Sequence, residues 1–389
     1  MLNRRTLLKA TASLSAGLFP VPSVVRADEP LKIGLLAPMT GALAFVGYTN
    51  QNCLALAVEE INSSGGILGR RVQVVTEDTQ ASSKVAVDKA RRLLVNDGAV
   101  ALIGTVLPLE REAALQVAAS QKRLVIHPNF DEGRCHPNLL TTGLSDVQRV
   151  EPMISWLAAH GSRRGFVMIS DSGTARNSFV PLLKSVVEAH SGTLVGVRYF
   201  PFGTRDFGPA LQQVKDADVD FVWHSIGDDP ITFVKQYHSF GMKPQLVTEI
   251  THESIAKVTD GASIGNLGVS SYFMSVDNPE NRTFIERYST QFANFTGVRV
   301  DGKVPVLPHG ESTYVGARVF AEAARIAQSV ELDKLKEAFA KISLDMPRGK
   351  VGVDAGSSHL LCKTLIGRAR EDCMFDLVDV AGPIQTVCK

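Results

Sequence analysis

The chain has 389 residues, 44% hydrophobic and 21% charged, with a formal net charge of +1. That composition excludes a disordered chain and suits a globular protein long enough for two domains of ordinary size. No basic excess draws it to nucleic acid or an anionic membrane surface, and no apolar run beyond the N-terminus is long and uncharged enough to span a bilayer.

Residues Asn3-Arg4-Arg5-Thr6-Leu7-Leu8-Lys9 form a twin-arginine export motif. An apolar stretch from Ala10 to Pro22 follows, then Val25-Arg26-Ala27, which suits a signal peptidase and leaves Asp28 as the mature N-terminus. The alternative, an arginine pair before a membrane anchor, needs an apolar run of about 20 residues, and this one is shorter. No cysteine follows for a lipid anchor. Residues 1–27 carry Arg4, Arg5, Lys9 and Arg26 and no acid, so their removal turns the charge to −3. The expected location is the periplasm, reached in folded form.

From Leu31 short apolar runs alternate with amphipathic ones. Leu31 to Leu36 reads as a buried strand, stopped by Pro38 and Gly41, and Gln51 to Ile61 as a helix ended by Gly65-Gly66. Strands follow at Arg71–Val75, Val100–Gly104 and Leu124–Ile126, with helices at Ser82–Asn96 and Glu110–Ser120 between them. The order then restarts. Helices at Val150–His160, Ser178–His190, Phe207–Ala217 and Ile231–Phe240 alternate with strands at Gly165–Ile169, Thr193–Val197 and Asp220–Trp223, and short strands follow at Leu246–Val247 and Leu267–Val269. Helices at Asn281–Phe295, Glu311–Gln328 and Leu332–Lys341 come next. Paired strands between His359 and Val380 turn at Arg370-Glu371-Asp372. Two tandem α/β units imply an α/β, two-lobed fold, each lobe a parallel sheet flanked by helices.

Cys53, Cys135, Cys362, Cys373 and Cys388 are five, so at least one stays free or pairs between chains. Cys53, among Leu54, Leu56 and Val58, reads as a core thiol, and the late trio is the better place for a bridge. No spacing suits zinc, and no cofactor is implied.

Three segments carry a resemblance: Ile33-Gly34-Leu35-Leu36-Ala37-Pro38-Met39-Thr40-Gly41, Ala55 to Asn62, and Gly65-Gly66-Ile67-Leu68-Gly69-Arg70 with Glu77-Asp78-Thr79. Through these and the chain to its tail, the sequence resembles the type I periplasmic binding proteins of the leucine/isoleucine/valine-receptor kind. Tyr272 to Asn281, and Pro347 to Asp354 with His359, resemble the urea and short-chain-amide branch. The resemblance implies three crossings between lobes, with residues 31–148 and 277–350 in the first and 149–276 and 351–389 in the second. It implies the substrate-binding component of an ABC importer whose partners are a small polar solute, urea or amide-like, and a membrane permease. A ligand-sensing regulatory receptor and a branched-chain amino-acid receptor are the alternatives.

In such a fold the ligand meets loops at the carboxyl ends of strands and helix N-termini. Phe45 either walls the pocket or packs in the core. Val106 and Pro108 lie in the second loop. The resemblance places at Pro108 a serine that holds the ligand in amino-acid receptors, and proline lacks both hydroxyl and N–H. His127 and Asn129 lie in the third loop with donors and acceptors suited to an amide, His127 alternatively being structural. Ser172 and Thr174 stand where relatives place tyrosines. Asp228 either accepts from a ligand N–H or caps a helix, and Glu249 is a further candidate. Enzyme chemistry lacks its motifs. His252-Glu253-Ser254-Ile255-Ala256 has no second histidine for zinc, no GxSxG occurs, and Gly65–Arg70 cradles no phosphate.

Overall fold

Apolar residues at nearly every position of a strand call for cover on both faces. In Leu31–Ala37, residues Leu31, Ile33 and Leu35 face one core and Leu36 another. Ile103 and Leu102 divide in the same way on Ala101–Gly104. The computed structural model describes residues 29–388, so the expected signal peptide lies outside the described residues.

These strands form a five-stranded parallel sheet in which Leu31–Ala37 lies between Val72–Asp78 and Ala101–Gly104, followed by Leu124–His127 and Leu139–Thr141. Helices Ala44–Ser63 and Pro308–Ala327 cover one face, and Ser83–Arg91 and Pro108–Ser120 the other. A second sheet has seven strands. Arg164–Ser170, Thr193–Phe200, Phe221–Ser225, Gln245–Thr248 and Leu267–Ser270 run parallel, and Thr364–Ala369 and Phe375–Ala381 close one edge antiparallel. Phe166 and Met168 face one of its cores, Val167 and Ile169 the other.

Most expected elements are present, with shifted ends. The first helix begins at Ala44, a full turn and more before Gln51, and the helix expected from Glu110 begins at Pro108. A small antiparallel sheet of Ser343–Met346, Gly349–Val353 and Leu360–Leu361 joins the first unit. Val351, Val353, Leu360 and Cys362 belong to the first core. These residues pack with the first unit beyond the expected boundary at residue 350.

The bridge expected within the late cysteines is instead Cys135–Cys388, with a Cα–Cα separation of 5.3 Å. The tail returns to the first unit, a path that local spacing does not encode. Cys53 and Cys362 are buried free thiols, and Cys373 is free in a turn.

Candidate ligand-binding cleft

Loops at the carboxyl ends of parallel strands from both sheets converge on one cavity of about 210 Å³. The first unit supplies Leu43, Phe45 and Val46, then Val106, Leu107 and Pro108, then Asn129 to Glu132, with His309 from a helix start. The second supplies Arg149, Ser170, Ser172, Thr174, Ala175, Phe179, Ser225, Gly227, Glu249, Ile250 and His252. This is the crevice position that ligands occupy in open α/β sheets.

Phe45, Val106, Pro108, Asn129, Thr174 and Glu249 line the cavity. Phe45 is 40% exposed, so its ring stands at the rim rather than in a core. His127 and Asp228 are absent from the lining. His127 ends its strand fully buried beneath the loop, with Nδ1 3.3 Å from the Gly104 carbonyl and Nε2 3.3 Å from that of Phe130. Burial, helped by the Arg111 charge, pushes its pKa down to about 4. Asp228 accepts from Ser170 Oγ at 3.3 Å and from the Gly203 N–H at 2.6 Å, clamping two loops, while helix capping falls to Asp229. Asn129 reaches the cavity wall with each end of its amide holding backbone. Its Nδ2 donates to the Val106 carbonyl at 2.7 Å and its Oδ1 accepts from the Phe130 N–H at 3.0 Å.

Arg149 was not among the sequence candidates. Its guanidinium pairs through Nη2 with Asp146 and through Nη1 with Glu249, and lies 4.2 Å from the Phe130 ring centroid. All three charged side chains are buried. Arg149 Nε has no hydrogen-bond partner among the described residues. Glu249 also accepts from Ser225 Oγ at 2.6 Å. A second buried cation, Arg111, binds Asp131 and Glu132 at 2.6 Å each. Burial works against the Asp131 carboxylate, yet the His359 hydrogen bond and the Arg111 charge hold its pKa below the usual range. With Glu112 also 3.0 Å from Arg111, two arginines face five carboxylates. The only sequence signal for this arrangement is the charged content of Asp146–Arg149 and Asp131-Glu132, which reads equally as solvated surface.

The helix beginning at Pro108 offers no open anion site. Glu110 folds back so that Oε2 accepts from the Val106 N–H at 3.2 Å and the Leu107 N–H at 2.8 Å. His252 and His309 stay neutral, burial pushing them down to about 3 and about 4.

Residues 30–373 match the model of a family described as periplasmic binding protein. The chain belongs to the periplasmic binding protein family. Among curated relatives, Leu/Ile/Val-binding protein homolog 7 of Brucella suis is 23% identical over 381 residues, covering 90% of this chain and 89% of that one. Among solved structures, a solute-binding protein of an ABC transporter from Rhodopseudomonas palustris HaA2, in complex with p-hydroxybenzoic acid, has a TM-score of 0.82 at 20% identity, covering 92% of this chain and 98% of that one. A leucine-binding protein of Thermotoga maritima has a TM-score of 0.77 at 17% identity, covering 91% and 99%. Family membership makes this binding protein a carrier of ligands rather than an enzyme, and gives it a place outside the cytoplasm. No helix among the described residues is long and apolar enough to cross a membrane.

Proposed function

We propose that this binding protein, exported through its twin-arginine signal, delivers a small uncharged ligand with an apolar body and an amide-like head to the permease of an ABC importer. Binding would draw the two units together about the crossing segments.

The observation that carries the ligand class is the Arg149 cluster. Asp146 and Glu249 already match the Arg149 charge and stand in excess beside it. A carboxylate ligand would add a third anion to a buried cluster holding one cation, which is costly. An uncharged amide adds no anion, and its N–H can donate to the neighbouring carboxylates. The Phe45, Phe130, Phe179 and Phe202 rings and several aliphatic side chains reward an apolar body, which urea lacks. Solved relatives bind benzoates or leucine. Here Glu110 fills the helix N-terminus where an anionic head would otherwise find free N–H groups.

Calorimetry with benzamide, benzoate, urea and leucine tests this. Benzamide should bind at least about tenfold tighter than benzoate, a difference of about 1.4 kcal/mol, with urea and leucine weaker still. Benzoate binding as well as benzamide would overturn the reading.

A further inference from the structure

The second sheet ends at Ala381, but the chain does not stay there. The Ile384 carbonyl accepts from Gln148 Nε2 at 2.8 Å, and the same amide group donates to the Leu360 carbonyl at 3.1 Å. Thr386 Oγ1 lies 2.9 Å from Ser145 Oγ, with both residues buried. Thr364 Oγ1 donates to the Gln148 carbonyl at 2.8 Å. Ser145 and Gln148 sit on the first crossing, Leu360 and Thr364 flank the third, and the tail lies against both. Two residues past Thr386, Cys388 is bonded to Cys135 of the first unit.

Cys135 is a firm anchor. The Asp131 carboxylate accepts from the Gly133 and Arg134 N–H groups at 2.7 Å each, and the Arg134 guanidinium binds Glu112. The same loop presents Phe130, Asp131 and Glu132 to the cleft.

We infer that residues 382–388 and the Cys135–Cys388 bond form a fourth strap across the hinge, one that sets how far the cleft opens. The three crossings are continuous backbone and bend through their dihedrals. The strap runs beside them from the edge of the second sheet to the cleft wall of the first unit. Its seven residues reach at most about 25 Å when fully extended, and the covalent bond prevents release of its far end. Without the bond, hydrogen bonds at Ile384 and Thr386 would be the tail's remaining polar hold near the hinge, and water can replace both. The strap length is therefore a structural limit on the open state, independent of which ligand the cleft takes.

Small-angle scattering of the ligand-free mature chain tests this. One variant carries Gly-Ser-Gly-Ser inserted between Pro383 and Ile384 and keeps the disulfide, a second is Cys388→Ser, and a third stops after Ala381. All three should show a radius of gyration larger than wild type by roughly 1 Å, against about 21 Å for a compact chain of this size. The insertion variant is decisive, because it retains the cross-link and its fold can be checked by near-UV circular dichroism. A folded, disulfide-bonded insertion variant with the wild-type radius would overturn the proposal, even if Cys388→Ser lowered the melting temperature, since the bond would then be a staple and not a strap.

Discussion

Arg149 of the second unit seats its guanidinium on the Phe130 ring of the first, 4.2 Å from the ring centroid. A buried cation thus packs across the cleft while Asp146 and Glu249 hold its edges. An arginine is suited to this place because its flat group stacks and forks at once, which an ammonium cannot do.

Replacing Arg149 should therefore be severe. Arg149→Met leaves Asp146 and Glu249 buried with no cation, a loss of about 3–5 kcal/mol in denaturant unfolding. Arg149→Lys keeps the charge but not the fork or the stack, and should lose an intermediate amount. A methionine variant as stable as wild type would show that the pair is not the electrostatic centre of the cleft.

Asn129→Ala should act on stability before it acts on affinity. Both ends of the amide are engaged by the backbone of neighbouring loops, so the substitution removes two hydrogen bonds of about 0.5–1.5 kcal/mol each. The measurement is a comparison of unfolding midpoint with binding enthalpy. A large enthalpy loss at unchanged stability would mean that the amide turns to the ligand.

Gly143→Ala should disturb the same wall by steric means. A Cβ there would stand 1.9 Å from the Asn129 carbonyl oxygen, so the Asn129 loop must move. Lower stability together with weaker benzamide binding is expected. Unchanged binding in a folded variant would count against the wall's role.

The pH dependence has two opposed contributions. Burial raises Glu253 to about 7, and its Oε2 has no partner among the described residues. For this raised carboxyl the stabilisation is fully present below the unfolded value near 4.5 and is lost as pH rises through about 7. Glu253→Gln should remove that loss, gaining up to about 3 kcal/mol relative to wild type at pH 8 compared with pH 4. Equal stability differences at the two pH values would contradict it.

His127, His224, His252 and His309 work the other way, since burial lowers all four below 6.5. Their unfolded forms take up protons below 6.5 while the folded forms stay neutral down to about 4 or 3, so stability falls as pH drops through that window. His224, stacked 4.2 Å from Phe233 with Nε2 unpartnered among the described residues, offers a clean test. His224→Phe should flatten the acid side of the profile, measured by urea midpoints between pH 7 and 4.

Much of the fold could be read from the sequence because buried parallel strands are apolar on both faces and end in glycine or proline. The helix starts at Ala44 and Pro108 could not, because Gly41 and Pro108 read as breakers when they in fact lead in or begin the helix. The cleft was legible at the level of loops. Phe45, Val106, Pro108, Asn129, Thr174 and Glu249 line it because the carboxyl ends of strands locate it. Arg149 was missed because it lies on a helix, and a charge on a helix face looks solvated until the partner unit buries it. His127 and Asp228 carry suitable chemistry, but strand-end geometry turns them inward or toward neighbouring loops, which local pattern does not record.

Glu110 gives the helix at Pro108 a resident anion. Its carboxylate is completely buried and takes the Val106 and Leu107 N–H groups, leaving Oε1 without a partner among the described residues. A receptor built this way can change the charge of its cargo without altering any strand or helix. Shortening one side chain would expose two convergent donors at the positive end of a helix dipole. The fold thus holds a socket for acids with a stopper already in place, and a paired Glu110→Ala and Pro108→Ser exchange is the shortest route to drawing it.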